Sequence, residues 1–398
     1  MFRLHIPLTL FLLNSYPVLQ CVPSINHIIL HARNSQGGRF CSDINITSPY
    51  IRIRVKLIWL LLFSSCLSPF DFPTENIGGR VVISGQISPL QEQSIVQLGL
   101  TAAQERLPFP VSGATVTLFD DANESRAYEE DPLSPGSYLL ATGLGIPGRT
   151  YHIQVIMPTG EVYESVPEKM PDVVGELTTS YEISFEEFTD FEGAVSNQPF
   201  VKIYSNTILP STPVPTYLKW SVEEAFLLSP TDFPDIAGYV PPPCFIVQNA
   251  DPQTIALFNG AELKTTMITN LLIGSRLVDW TFLEKHYFNS YQSSLTIEAY
   301  EYWRKVNIVS NHVGSIFDTP PAEITGNIQR IDNPADKVLG YFQATNQTYD
   351  RIVLFPFNLP FPLLMETCTY DPNKFQYLQR CLNCLTVRNS SYRRPEWF

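Results

Sequence analysis

Gly148–Ser165, GRTYHIQVIMPTGEVYES, is the stretch that decides the fold class. Tyr151, Ile153 and Val155 fall on one side of an extended chain and His152 on the other, the two-residue period of a half-buried strand. Pro158-Thr159-Gly160 punctuates the run and EVYES resumes it. His152 is therefore expected to be a solvent-facing strand residue, not a ligand.

The same grammar continues upstream through SYLLATG, GATVTLFDD and SIVQLGL to VVISGQIS after Arg80, separated by Pro-Gly, Asp-Ala-Asn and Pro-Phe-Pro. Short strands at this spacing predict an immunoglobulin-like β-sandwich over residues 80–166, with a scaffolding role. Residues 167–175 read as a linker.

Downstream, over 176–398, a second β-rich domain is expected from YEISFEEF, PFVKIYS, TYLKWSVEEAFLL, CFIVQ, LKTTMITNLLIG, WTFLEKHYFNSY, ITGNIQRI and KVLGYFQAT. In TYLKWSVEEAFLL the residues Tyr217, Lys219 and Ser221 alternate with Leu218, Trp220 and Val222, so the second set should face a core. One helix interrupts the strands, SLTIEAYEYWRKVNIV, predicted near residues 296–309 with Thr296 as N-cap and Glu298 and Glu301 in its early turns. Ala299, Tyr302, Trp303 and Val306 form a stripe that would pin this helix to a sheet. Tyr300, Tyr302, Phe317 and Trp397 are the aromatics expected to be exposed and to offer a contact surface.

Composition agrees with a mainly β chain. There are 33 prolines against 20 glycines, and charged residues make up only 16%; proline is poorly tolerated inside helices and central strands, so many rigid turns are implied. A formal charge of -13, with no cluster of Lys and Arg, argues against nucleic acid as a partner.

Charge is unevenly distributed. Six of the 26 basic residues but one of the 39 acidic residues lie in the first 65 positions, which puts a boundary near Cys66. Arg52, Arg54 and Lys56 precede the apolar run Leu57–Phe63, followed by Ser64-Ser65 and Cys66. Basic flank, apolar run, small pair and cysteine are the order of a bacterial lipoprotein signal, so residues 51–65 read as the signal and Cys66 as the lipidated residue. The run is too short to span a bilayer, which takes about 20 apolar residues. Residues 66–79, including LSPFDFPTENIGG, read as a tether. Residues 1–50 then form an extension ahead of a true start between Ile51 and Val55; the rival is a signal over Met1–Leu19 cut near Cys21.

With Cys21 and Cys41 in the leader and Cys66 consumed by lipid, Cys244, Cys368, Cys381 and Cys384 remain of the seven cysteines. An even number in an exported chain predicts disulfides, with all three pairings open. Cys381-Leu-Asn-Cys384 has zinc-like spacing but no second half-site, and no βαβ pattern surrounds it for redox work. Past the leader the histidines are His152, His286 and His312, too far apart for an HExxH site. There is no GxSxG elbow or phosphate loop, and Gly143-Leu-Gly145 lies between strands. Adjacent carboxylates such as Asp120-Asp121 and Glu186-Glu187 point to opposite strand faces. No enzyme activity, cofactor or metal is expected.

In SLTIEAYEYWRKV, GSIFDTPPAEITGNI, KVLGYFQAT and CLNC followed by RRPEWF, together with VVISGQIS, SGATVTLFDD, GSYLL and GRTYHIQVIMPTGEVYES, the chain resembles the Bacteroidota lipoproteins of the domain-of-unknown-function family DUF4249. Cys66, Cys244, Cys368, Cys381 and Cys384 match the cysteine positions expected of that family. The resemblance implies a non-enzymatic lipoprotein anchored in the outer membrane, accessory to a TonB-dependent receptor in capturing a nutrient, with ligand and leaflet left open. The alternatives are a structural or adhesive surface protein and an envelope hydrolase.

Overall fold

The computed structural model describes residues 28–33, 39–44 and 79–398, the last without 103–108, 141, 191–192, 213, 229–241, 312–323 and 364–378. The chain divides into two units, Met1–Thr74 and Glu75–Phe398. In the first, β1 (Ile28–Arg33) pairs antiparallel with β2 (Arg39–Ile44). The expected signal, Cys66 and the tether to residue 78 lie outside the described residues.

The second unit is mainly β and begins with β3 (Val81–Ile87), β4 (Ile95–Leu100), β5 (Phe109–Pro110), β6 (Thr115–Asp120), β7 (Ser125–Glu130), β8 (Ser137–Leu140), β9 (Thr150–Ile156), β10 (Val162–Ser165) and β11 (Glu168–Lys169). Two later strands, β19 (Ile328–Arg330) and β20 (Phe342–Ala344), join them in one 11-stranded sheet of order β19-β10-β9-β6-β7-β8-β4-β3-β20, with β5 on β4 and β11 on β9. These strands lie in one continuous sheet, and the immunoglobulin-like sandwich expected for 80–166 is not confirmed. A sandwich parts into two sheets, whereas β8 hydrogen-bonds both β7 and β4 and keeps the ladder continuous. The sheet curls into a nearly closed, barrel-like arrangement. Its ends meet at Asn327, whose Nδ2 donates to the Phe342 carbonyl at 2.7 Å and whose Oδ1 accepts from the Phe342 N–H at 2.9 Å.

Alternation places Tyr151, Ile153 and Val155 in this core with Ile83, Val96 and Phe342. The parallel pairing of β20 on β3 depends on Gly340. Its φ is 99°, and a Cβ there would stand 2.0 Å from the Ile83 carbonyl oxygen, so no other residue fits. Residues 167–175 are not a free linker: β11 pairs with β9, and Met170 is wholly buried in the barrel core. Strand β7 escapes the sequence pattern because SRAYEE has Tyr128 as its one large apolar residue, which is buried with its hydroxyl donating to the Gln86 carbonyl.

Next come β12 (Glu176–Thr189), β13 (Val195–Ile208), β14 (Tyr217–Leu228), β15 (Cys244–Asn249), β16 (Ala256–Asn259), β17 (Met267–Leu277) and β18 (His286–Leu295), then α1 (Ile297–Asn311), and after the barrel's last strands β21 (Asn346–Leu354) and β22 (Ser390–Ser391). One sheet has the order β12-β13-β17; the other runs β21-β18-β14-β15-β22 with β16 also on β14. Val201, Ile203 and Ile273 of the first share a core with Leu218, Trp220, Val222 and Phe288 of the second, the face that the TYLKWSV alternation predicts. Gln292 is buried at this contact and is satisfied there: its Oε1 accepts from Trp220 Nε1 at 2.9 Å and Thr207 Oγ1 at 2.5 Å, and its Nε2 donates to the Val174 carbonyl. Helix α1 is capped as expected, with Thr296 Oγ1 accepting from the Ala299 N–H at 3.1 Å.

Candidate functional site

The most unusual polar chemistry lies on the other face of β14, which carries Tyr217, Lys219, Ser221 and Glu223 because Leu218, Trp220 and Val222 are turned to the core. Register sets Ser293 of β18 directly across from Lys219, and Gln347 of β21 across from Ser293. Helix α1 covers this end. Tyr300 packs on Tyr217 with ring centroids 5.1 Å apart, Tyr302 packs on Tyr341 at 4.8 Å, and the Lys219 ammonium sits 3.8 Å from the centre of the Trp303 ring.

The barrel closes the remaining side with a chain of amides. Trp303 Nε1 donates to Gln343 Oε1 at 2.7 Å, Gln343 Nε2 to Gln86 Oε1 at 2.8 Å, and Gln86 Nε2 to the Gln93 carbonyl at 2.9 Å and more weakly to Gln347 Oε1. Gln347 Nε2 ends the chain on Ser293 Oγ at 2.8 Å. Every amide nitrogen in the chain is thus satisfied. Lys219 is not: among the described residues its ammonium meets no carboxylate and no acceptor, only the indole face. Desolvation alone pulls its pKa down to about 8.

Further along the same face, Glu223 takes a hydrogen bond from Asn289 Nδ2 at 2.9 Å, and burial raises its pKa. Arg351 donates to Asn289 Oδ1 and lies 3.8 Å over the Trp397 ring.

A second charged cluster is buried beneath the sheet's other face. Glu224 Oε2 holds Arg276 Nε at 2.7 Å and His286 Nε2 at 2.8 Å, while Gln248 donates to Oε1. Burial works to raise the Glu224 pKa, but the hydrogen bond from His286 and the Arg276 charge outweigh it and hold the carboxyl below its usual range. His286 is fully buried, stacked at 3.9 Å on Phe282, and burial pushes its pKa down. No hydroxyl or thiol is hydrogen-bonded to its ring among the described residues, so the geometry is that of a buried structural ion cluster.

Cys244 and Cys384 form a disulfide across 140 residues of sequence, and Cys381 is disulfide-bonded as well. Cys66, Cys368 and Phe317 lie outside the described residues. Tyr300, expected to be exposed, is only 7% accessible because Tyr217 covers it. Tyr302 and Trp397 are half-buried, each against other side chains. Tyr300, Tyr302 and Trp397 are therefore not an open platform; Tyr300, Tyr302 and Trp303 wall the Lys219 site instead. His152 is half-buried and stacks on Phe119 at 5.1 Å. No group of metal-ligating side chains occurs among the described residues, and none of their helices is long and apolar enough to cross a membrane.

The amide chain and Ser293 carry no sequence signal. Gln86 and Gln347 are 261 residues apart, and an uncharged amide in a strand looks like any surface residue. The one visible hint was Lys219 alternating with core residues beside Trp220.

The model of the domain of unknown function DUF4249 matches residues 68–351, and the chain is a member of that family. No curated protein and no solved structure matches it.

Proposed function

We propose that the chain is a lipoprotein of the outer membrane, held through Cys66, that binds a ligand or a TonB-dependent receptor and has no catalytic role. The order Arg52, Arg54, Lys56, Leu57–Phe63, Ser64-Ser65, Cys66 supports the anchor, and the Pro-rich, Gly-ended sequence that follows Cys66 suits a tether. The barrel, built from the strands expected of an immunoglobulin-like module, serves as scaffold.

The observation that carries the binding role is Lys219, an ammonium held within the fold without a counter-ion among the described residues. A charge kept there costs stability, and a ligand that neutralises it would restore the balance. The test is purification of the native chain from envelopes with mass spectrometry of what accompanies it. A receptor or small molecule retained by the wild type and absent from a Cys66→Ala form supports the anchored reading; a chain that takes up no labelled palmitate overturns it.

A further inference from the structure

Two hydrogen-bond donors on one sheet face are left open. Lys219 and Ser293 are direct cross-strand partners, so their Cβ atoms are roughly 5 Å apart and their side chains leave the sheet on the same side. Among the described residues the Lys219 ammonium has no acceptor, and the Trp303 ring lies against it. Ser293 is 1% exposed; its oxygen accepts from Gln347, and its own proton has no acceptor among the described residues. The amide chain from Trp303 to Gln347 runs donor to acceptor toward that oxygen, which polarises the Ser293 O–H and makes it a better donor.

We propose that Lys219 Nζ and Ser293 Oγ form the anion end of a binding site for a small molecule that carries a single carboxylate. This rests on the reading of the chain as a ligand binder, but not on the lipid anchor. One full positive charge and one neutral donor side by side match a monoanion with two oxygens. A phosphate dianion needs further cations, and the next one along the face, Arg351, is already engaged by Asn289 and Trp397. Tyr217, Trp303 and Leu257 supply an apolar wall beside the charge, which suits a ligand whose remaining part is hydrocarbon or aromatic. Lys219 as a residue is half-buried, not sealed. The lowered pKa of its amine is what an ammonium awaiting its counter-ion should have.

The test is reductive methylation of the full chain with ¹³C-formaldehyde, which keeps the charge and gives each lysine its own NMR signal. Lys219→Met identifies the signal of Lys219. Acetate, hexanoate and benzoate are then titrated against chloride at equal ionic strength. At least one carboxylate should move the Lys219 signal to saturation and raise its midpoint of titration, and Ser293→Ala should weaken that carboxylate roughly tenfold, as the loss of one hydrogen bond to a charged group would. The proposal is overturned if chloride matches the carboxylates, if none of the three moves the signal, or if Ser293→Ala binds as tightly as the wild type. Palmitate labelling reads the anchor separately, so a lipidated chain with an unmoved Lys219 signal removes the carboxylate site and leaves the anchored reading standing.

Discussion

Asn327 and Phe342 exchange two hydrogen bonds at 2.7 and 2.9 Å, and this single side chain joins the two ends of the barrel sheet. Asn327→Ala removes both and leaves the Phe342 N–H and carbonyl without partners where Phe342 is fully buried. The expected loss is about 2–3 kcal/mol of stability, measured by urea unfolding. Asn327→Asp, which keeps an acceptor but no donor, should recover part of it.

Lys219 predicts a gain. Its folded pKa, about 8, is below the ordinary 10.5, so folding disfavours the ammonium. The sign follows: stability should rise with pH between about 8 and 10.5, and below 8 the full penalty remains. Lys219→Met keeps the aliphatic stem against Trp303 and removes the charge. It should stabilise the protein by about 1–2 kcal/mol at pH 7 after allowance for the partial exposure of the site, seen as a raised Tm. An unchanged or lower Tm would show that the ammonium is compensated in solution.

Glu168 should respond in the opposite direction. Burial raises its pKa to about 7, Thr296 Oγ1 donates to its Oε1 at 2.8 Å, and Oε2 has no partner of good geometry. A folded pKa above the ordinary 4.5 means that its contribution is complete below 4.5 and fades as pH climbs through 7. Thermal unfolding from pH 4.5 to 8 should show this decline, and Glu168→Gln, neutral throughout, should flatten it.

The Cys244–Cys384 bridge closes a loop of 140 residues and ties β15 to the segment leading into β22. Replacing both cysteines by alanine should cost about 2–5 kcal/mol, read from the denaturant midpoint of the oxidised wild type against the double variant. If the two midpoints coincide, the bridge adds no stability.

The sequence made the strands legible where burial alternates, as in Tyr151, Ile153 and Val155 or Leu218, Trp220 and Val222, and it made α1 legible through the Thr296 cap. It did not disclose that β19 and β20 return to the first sheet: ITGNIQRI and KVLGYFQAT read as strands of the second domain, and alternation marks a strand without naming its partner. The linker reading of 167–175 failed for a similar reason: Glu168 and Met170 look like turn residues until distant partners bury them. At the site, the aromatics of α1 were visible, but the amide chain that organises Ser293 was not, since it is assembled from four separate strands.

Gly340, which lets β20 lie against β3, also fixes an order of events. The strands that complete the barrel are made more than 150 residues after β10. While the chain is being synthesised, the outer rims of β3 and β10 stay unpaired, an invitation to aggregate that lasts until the final quarter of the polypeptide arrives. A version truncated before Ile328 should therefore be recovered from cells as insoluble material or not at all.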